Sequence, residues 1–239
     1  MGIDIGTIQS PTVRELFTQR LAGLIINGEL NPGERLPSER ELAAQANISK
    51  SAVHLALVDL ERMGFVETKE RQGTYVADFT SRGNITILEQ LTPANGFEYD
   101  SQKIIDILEM RDGLECRALE RLAENLTEEN IARLAKDVED AKTYVASTDK
   151  VDVHKLAMMY FDFHHDICIC SGNFVLPLLF NTFRNSTTYF WEQPVRVLGV
   201  ARSMEFMKGM YESILTGDAE ESKRFFRSEM QYYKDLLQK

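Results

Sequence analysis

Cysteine is scarce in this 239-residue sequence: three residues, Cys116, Cys168 and Cys170. An odd number clustered on presumed helices is not a disulfide framework, and it suits a reducing, cytoplasmic setting. Histidine is scarce too, with four, and no Cys/His spacing has the form of a zinc site. Cys168 and Cys170, two apart on a helix, point in different directions. Long apolar runs are missing. The longest, Phe174 to Phe180, is interrupted by Pro177 and is too short to span a bilayer. The opening MGIDIGT has no basic stretch leading into an apolar one, as a secretory signal needs, and no Ser or Thr at position 6 for myristoylation. Internal repeats and low-complexity tracts are absent. So is an excess of positive charge: the net charge is -10, and residues 1–78 alone carry 8 basic against 11 acidic side chains. Any nucleic-acid surface must then be a local patch rather than a globally basic domain.

What remains is an ordinary globular composition, 44% hydrophobic and 27% charged, long enough for one large domain or two small ones. Ser10-Pro11 reads as a helix start, followed by Val13, Phe17, Leu21, Leu24 and Ile25 at helical spacing, with Gly28 as the stop. Ser38 and Glu41 form a capping box for a short helix to Ala46. Asn47-Ile48 makes a tight turn, and Ser49 caps a helix to about Met63 that Gly64 closes. Val53, Leu57 and Leu60 lie on its buried face. Two short strands follow, Phe65 to Thr68 and Thr74 to Val76. Helix, short helix, tight turn, helix and hairpin is the order of a winged helix-turn-helix, whose second motif helix enters the major groove.

From Ala77 to Asp100 the periodicity weakens, with Gly83, Pro93 and Gly96 as breakers and a short helix around Ile85 to Leu91. Nearly everything after it is helical. Ser101 caps a helix with Ile104, Leu108, Arg111, Glu115 and Leu122 on one side, and Thr127 caps the next. Further helices are predicted over Asp152–Cys170, Phe174–Trp191, Val195–Leu215 and Asp218–Leu237. Short connections make neighbours antiparallel, as in a helical bundle.

The stretch LPSERELAAQANISKSAVHLALVDLERMGFVETKERQGTYV, over Leu36–Leu42, Ser49–His54, Leu60–Val66 and Gly73–Val76, resembles the DNA-binding domain of the GntR family of bacterial regulators. The segments ILEMRDGLECRALERLAE and FHHDICICSGN resemble the helical effector domain of its FadR subgroup, more loosely. The resemblance implies that Arg40 contacts phosphate and base. It puts Ser49, Lys50, Ser51 and His54 on the exposed front of the recognition helix, with Arg71 and Gly73 in the wing; Arg35, just before the matched run, joins this set. The chemistry agrees: hydroxyls and a helix N-terminus bind phosphate, and Lys or Arg can bond guanine. Lys50 and His54 stand where the family usually has arginines. A lysine lacks the bidentate fork, so the operator sequence cannot be borrowed.

On the helix from Asp152, an apolar stripe of Leu156, Tyr160, Phe163, Ile167 and Cys170 has His164 beside it. His164 reads as a core histidine or as a pocket residue. The resemblance implies the pocket, because many domains of the subgroup place a metal-binding His there. Its remaining ligand positions fall on Tyr160, Met207 and Glu229, a poor set for zinc, nickel or manganese. No metal and no cofactor is therefore expected, and the site is read as one for an organic ligand. Arg111 points into the bundle and needs an anionic partner, either the effector or a carboxylate such as Glu115.

The chain is thus expected to be mostly α. The predicted divisions are a winged helix-turn-helix over residues 8–78, a linker over 79–100, and an antiparallel all-α effector-binding and dimerisation bundle over 101–239. The resemblance implies a cytoplasmic homodimer, repressor or activator, on a pseudo-palindromic duplex operator, with no membrane partner. Its expected effector, a carboxylate or acyl compound, would meet Arg111, Tyr160, His164, Met207 and Glu229. The sequence offers two other functions. His165-Asp166 resembles the pair of metal-dependent phosphohydrolases, but only His54 and His154 remain to complete such a site, one of them in the DNA motif. A DNA-bound architectural protein without effector is the other.

Overall fold

The first helix, α1 (Val13–Ile26), starts where Thr12 caps it: the Thr12 hydroxyl accepts from the Glu15 amide, and the Glu15 carboxylate accepts from the Thr12 amide. The start predicted at Ser10-Pro11 is thus displaced, because the reciprocal cap is made two residues later; Ser10 itself lies outside the described residues. This computed structural model of the chain describes residues 11–90, 101–186 and 188–238.

Helix α2 (Glu39–Ala46) opens on the Ser38–Glu41 capping box and ends at Asn47, whose φ of 52° is left-handed. Ser49 caps α3 (Lys50–Met63) by accepting from the Ala52 amide at 3.2 Å. Gly64 closes α3 at φ 93°, and a Cβ there would stand 2.7 Å from the Arg82 carbonyl oxygen, so only glycine fits. The hairpin pairs β1 (Val66–Lys69) with β2 (Gly73–Val76), in register from Val66 opposite Val76 to Lys69 opposite Gly73. The ladder begins at Val66 rather than Phe65 because the Phe65 amide still bonds the Leu60 carbonyl, inside the turn that closes α3. Leu21, Ile25, Leu36, Leu42, Val53, Leu57, Leu60, Phe65 and Val76 form the core of this unit.

Residues 79–90, predicted to begin a linker, pack onto this core instead. Phe79, in the one-turn helix α4 (Phe79–Arg82), lies 5.6 Å from Phe65 between ring centres. Ile87, in a 3-10 segment (Ile85–Gln90), is buried, and Asn84 donates to the Arg62 carbonyl at 2.7 Å. Leu91 and the rest of the predicted linker to residue 100 lie outside the described residues. The chain divides into two units, Met1–Phe97 and Glu98–Lys239.

The second unit contains α5 (Ser101–Glu124), α6 (Glu128–Ala146), α7 (Val153–Cys170), α8 (Leu176–Ser186), α9 (Thr188–Leu198), α10 (Val200–Leu215) and α11 (Ala219–Leu237). Thr127, Asp152 and Asp218 cap α6, α7 and α11. Ser101 is no cap: it lies inside α5 and donates to the Leu237 carbonyl at 2.8 Å. Helix α7 is the central member and packs against α5, α6, α8 and α9. That explains its composition, with Leu156, Tyr160, Phe161, Phe163, His164, Ile167 and Cys168 all buried. The helices predicted over 174–191 and 195–215 are differently divided. Pro194 sits inside α9, and the break falls at Gly199, whose φ of 80° a glycine accepts without strain.

Because Ile87 completes the first core, a fragment ending at residue 90 should unfold cooperatively. One ending at residue 80 should be less stable by about 2 kcal/mol, the worth of one buried isoleucine. Urea unfolding of the two fragments checks this; equal midpoints would place residues 81–90 outside the cooperative unit.

Candidate nucleic-acid interface and bundle cavity

The front of α3 combines a helix N-terminus, where the Ser49 cap engages only the Ala52 amide, with side chains suited to polyanions. Ser49 and Ser51 lie with their hydroxyls 3.1 Å apart at the helix start, and the first turn holds no acidic residue. The free amides there favour an anion. Lys50 and His54, four apart, share one helix face and are well exposed. Arg40 is exposed on α2. Of the residues expected on one face, Ser49 and Ser51 touch each other, and Lys50 and His54 meet through a shared carboxylate. The sequence reading missed Glu39, the first residue of α2. Its Oε1 lies 2.7 Å from His54 Nδ1, and its Oε2 lies 3.6 Å from Lys50 Nζ. A separation of 15 residues gives no periodic signal for this contact; only the angle between α2 and α3 creates it.

In the wing, Arg71 stands at the hairpin tip at φ 60° and is almost fully exposed. Gly73, at φ 109°, begins β2, and a Cβ on it would lie 3.1 Å from Arg35 Nε. Arg35 is itself bridged to Tyr75 of β2. The absent side chain thus gives the Arg35 guanidinium its seat beside the last strand pair before the wing tip.

Inside the bundle, three ionisable residues form a buried chain. Arg111 Nε donates to Glu115 Oε1 at 2.6 Å, and the other Glu115 oxygen bonds His164 Nδ1. All three are buried, Glu115 completely. Burial works to raise the Glu115 carboxyl, but Arg111 and His164 outweigh it and hold it below its ordinary 4.5. Burial pushes His164 below 6.5 by more than Glu115 pulls it up. The set at neutral pH is therefore an Arg–Glu ion pair with a neutral imidazole. The Arg111 guanidinium carbon stacks 4.0 Å above the Trp191 ring, and its Nη2 has no hydrogen-bond partner among the described residues.

Arg111 also lines a cavity of about 40 Å³, bounded by Leu108, Tyr160, Trp191, Ser203, Phe206 and Glu229 among others. The space suits a few water molecules or a small ligand. The buried hydroxyls of Tyr160 and Ser203 also lack a full hydrogen bond. Of the predicted effector set, Arg111, Tyr160, His164 and Glu229 line this cavity; Met207 does not. It is wholly buried in the bundle core, and Phe206, about 100° around α10, takes the wall position. Glu229 meets the cavity with its charge already engaged, since Arg202 Nη2 bonds both its oxygens at 2.6 and 2.7 Å. The partner left open for Arg111 is thus Glu115, with one guanidinium nitrogen to spare.

The residues that the resemblance sets at metal-ligand positions are otherwise engaged or lie apart. His164 is tied to Glu115, Glu229 to Arg202, Met207 lies off the cavity, and burial pushes the Tyr160 phenol up from its ordinary 10. Among the described residues no three His, Cys, Asp or Glu side chains converge as ligands.

A winged helix-turn-helix followed by a helical bundle with a buried polar cavity defines a class, the DNA-binding transcriptional regulators with a separate C-terminal domain. Residues 11–76 match the family described as "Bacterial regulatory proteins, gntR family", and residues 106–231 match the FCD domain. The chain belongs to the GntR family of bacterial regulators, in the FCD-bearing FadR subgroup. It is 32% identical to the HTH-type transcriptional regulator Mce2R of Mycobacterium tuberculosis (strain CDC 1551 / Oshkosh) over 173 residues, 72% of this chain and 69% of that protein. It is 34% identical to the HTH-type transcriptional regulator LutR of Bacillus subtilis (strain 168) over 158 residues, 66% of this chain and 68% of that one. These relatives are regulators, not enzymes. The solved structure of Lar, described as controlling the expression of the Listeria monocytogenes agr system, shares the fold. Its TM-score is 0.66 at 17% identity, over 96% of this chain and 98% of that one. Among the described residues no helix is long and apolar enough to cross a membrane.

The buried charges predict how the second unit responds to pH. A histidine held below 6.5 in the fold takes up its proton more readily when unfolded, so stability falls as pH drops below about 6.5. Glu115, held below 4.5, adds a second loss as pH falls further. Thermal melts from pH 7.5 to 4 should show both steps, with the upper one missing in His164→Gln. Glu115→Gln, which leaves Arg111 buried without a counter-charge, should cost about 3–5 kcal/mol. A wild-type melting temperature that is flat from pH 7 to 5 would contradict the neutral buried imidazole.

Proposed function

We propose that this regulator binds a pseudo-palindromic operator as a two-fold homodimer in the cytoplasm, and that a small organic anion in the bundle cavity sets its operator affinity. The observation that carries the effector half is Arg111: buried, stacked on Trp191, in the lining of a cavity, and with one guanidinium nitrogen unbonded among the described residues. A buried donor without a partner costs about 1–3 kcal/mol, and an acceptor that reaches it recovers that energy. A carboxylate can take this nitrogen while Tyr160 and Ser203 supply further hydrogen bonds. The apolar wall of Leu108, Trp191 and Phe206 suits a short hydrocarbon body. A cavity of about 40 Å³ favours a small carboxylate, and a longer acyl chain would have to spread the helices. The donors present serve an anion and not a transition metal.

In the DNA half, Ser49, Ser51, Arg35, Arg40, Arg71 and the Gly73 backbone act on phosphates or groove edges, and Lys50 and His54 face bases. One winged helix covers one half-site, so two-fold symmetry of the operator follows from two-fold symmetry of the protein. The effector acts only through unequal affinity for operator-competent and incompetent arrangements, whether the result is repression or activation.

Two measurements test these halves. Lys50→Glu should abolish specific operator binding while leaving the melting temperature almost unchanged, since Lys50 is an exposed helix residue. Wild-type affinity should fall steeply with salt through counterion release. Normal operator shifts by Lys50→Glu at physiological salt would remove α3 from the reading role.

Small carboxylates from two to six carbons, screened by thermal shift, should include some that stabilise the protein and change operator affinity. The response should weaken in Ser203→Ala, which leaves the Arg111 ion pair intact. After exposure to zinc, nickel and manganese and then desalting, the protein should hold well under one metal per chain. One equivalent that is lost in His164→Ala would overturn the metal-free reading.

A further inference from the structure

Two side chains on the front of α3, Lys50 and His54, share one carboxylate. Glu39 holds His54 with one oxygen, at 2.7 Å from Nδ1, and faces Lys50 with the other, at 3.6 Å from Nζ. All three groups keep contact with solvent, so the cluster stands on the face offered to DNA rather than in the core. A negative charge on that face repels phosphate and weakens sequence-independent attraction. What it adds is geometry. With Nδ1 engaged by Glu39, the imidazole can turn only Nε2 toward a base, in either charge state. A neutral ring then presents an acceptor, which suits adenine N6 or cytosine N4. A protonated ring presents a donor, which suits guanine N7 or O6. A ring free to rotate could offer either nitrogen and would discriminate less.

We propose that Glu39 is a specificity-determining positioning residue: it fixes the ring of His54 on the reading face and exchanges non-specific affinity for base discrimination. The proposal rests on the assignment of α3 as the recognition helix. It assigns to α2 a part in base readout exerted through His54. Lys50 acts differently, because a 3.6 Å ion pair leaves its ammonium free to swing to a phosphate or a guanine once DNA displaces solvent.

The test is selection of bound sites from a synthetic duplex library with a randomised core, using the full-length protein, followed by affinity measurement on the selected site and on unrelated duplex. Wild type, His54→Ala, Glu39→Ala, Glu39→Gln and the double variant His54→Ala/Glu39→Ala are compared. Thermal melts confirm that each is folded. His54→Ala should lose preference at one base pair per half-site by about fivefold or more. Glu39→Ala should lose it at the same base pair, and the double variant should lose no more than either single one. Glu39→Ala should meanwhile bind unrelated duplex more tightly, because a negative charge has left the interface. Damage to α2 alone would weaken binding to all sequences and would not produce that gain. Glu39→Gln, whose amide oxygen can still accept from Nδ1–H, should keep the base preference and share the gain on unrelated duplex. Full retention of the wild-type base preference by Glu39→Ala would overturn the proposal. A base preference that survives His54→Ala would overturn the recognition-helix assignment itself, and with it the role of Glu39.

Discussion

A guanidinium buried in an apolar bundle dictates much of what surrounds it. A guanidinium buried among apolar side chains needs a counter-charge, and for Arg111 it is Glu115, one turn along α5. Glu115 in turn needs its second oxygen satisfied, which fixes His164 on α7 and with it the rotation of the central helix. Trp191 on α9 closes over the guanidinium face. Three helices thus converge on one charge pair, and the cavity is the space their polar groups leave between them. A buried pair of this kind contributes little net stability, but removing either partner is expensive. Its value lies in placement: it fixes the Arg111 guanidinium in the lining of the cavity.

The DNA-binding unit solves its placement problem by local means. Capping boxes at Thr12 and Ser38, the left-handed Asn47 and the close approach at Gly64 set where each helix begins and ends within a residue or two. The hydrophobic core then needs only to lock α1, α2 and α3 together. The consequence is a front of α3 whose backbone is set by local signals and whose side chains have few partners apart from Glu39. In the bundle, by contrast, the polar groups of the site are held by each other and by burial.

This difference explains what was legible in the sequence. Ser38, Glu41, Ser49 and Gly64 carry local backbone signals, and the helices and hairpin they bound lie within a residue of where they were predicted. The inward face of α5 and the stripe on α7 were legible from 3.6-residue spacing. Three features were not. The division of residues 174–215 turned on Gly199, while Pro194, the more obvious breaker, is accommodated inside α9. Residues 79–90 looked like linker because their few apolar side chains are too sparse to show a period, yet Phe79 and Ile87 pack on the first core. Met207 was placed by alignment to a family position, and a shift of one residue on α10 moves a side chain by about 100°, from cavity wall to core. Contacts such as Glu39–His54 and Arg202–Glu229 join residues distant in sequence and become visible only with the tertiary structure.

The claim on which the regulatory account turns is that Arg111 receives the effector. The side-chain resonances of Arg111, observed by nitrogen-labelled NMR on the bundle of the full-length protein, report on it directly during titration with a small carboxylate that changes operator affinity. The account predicts a saturable shift and slower solvent exchange of the Arg111 Nη protons, with a midpoint matching the change in operator affinity. A full change in operator affinity with the Arg111 resonances unmoved would contradict it.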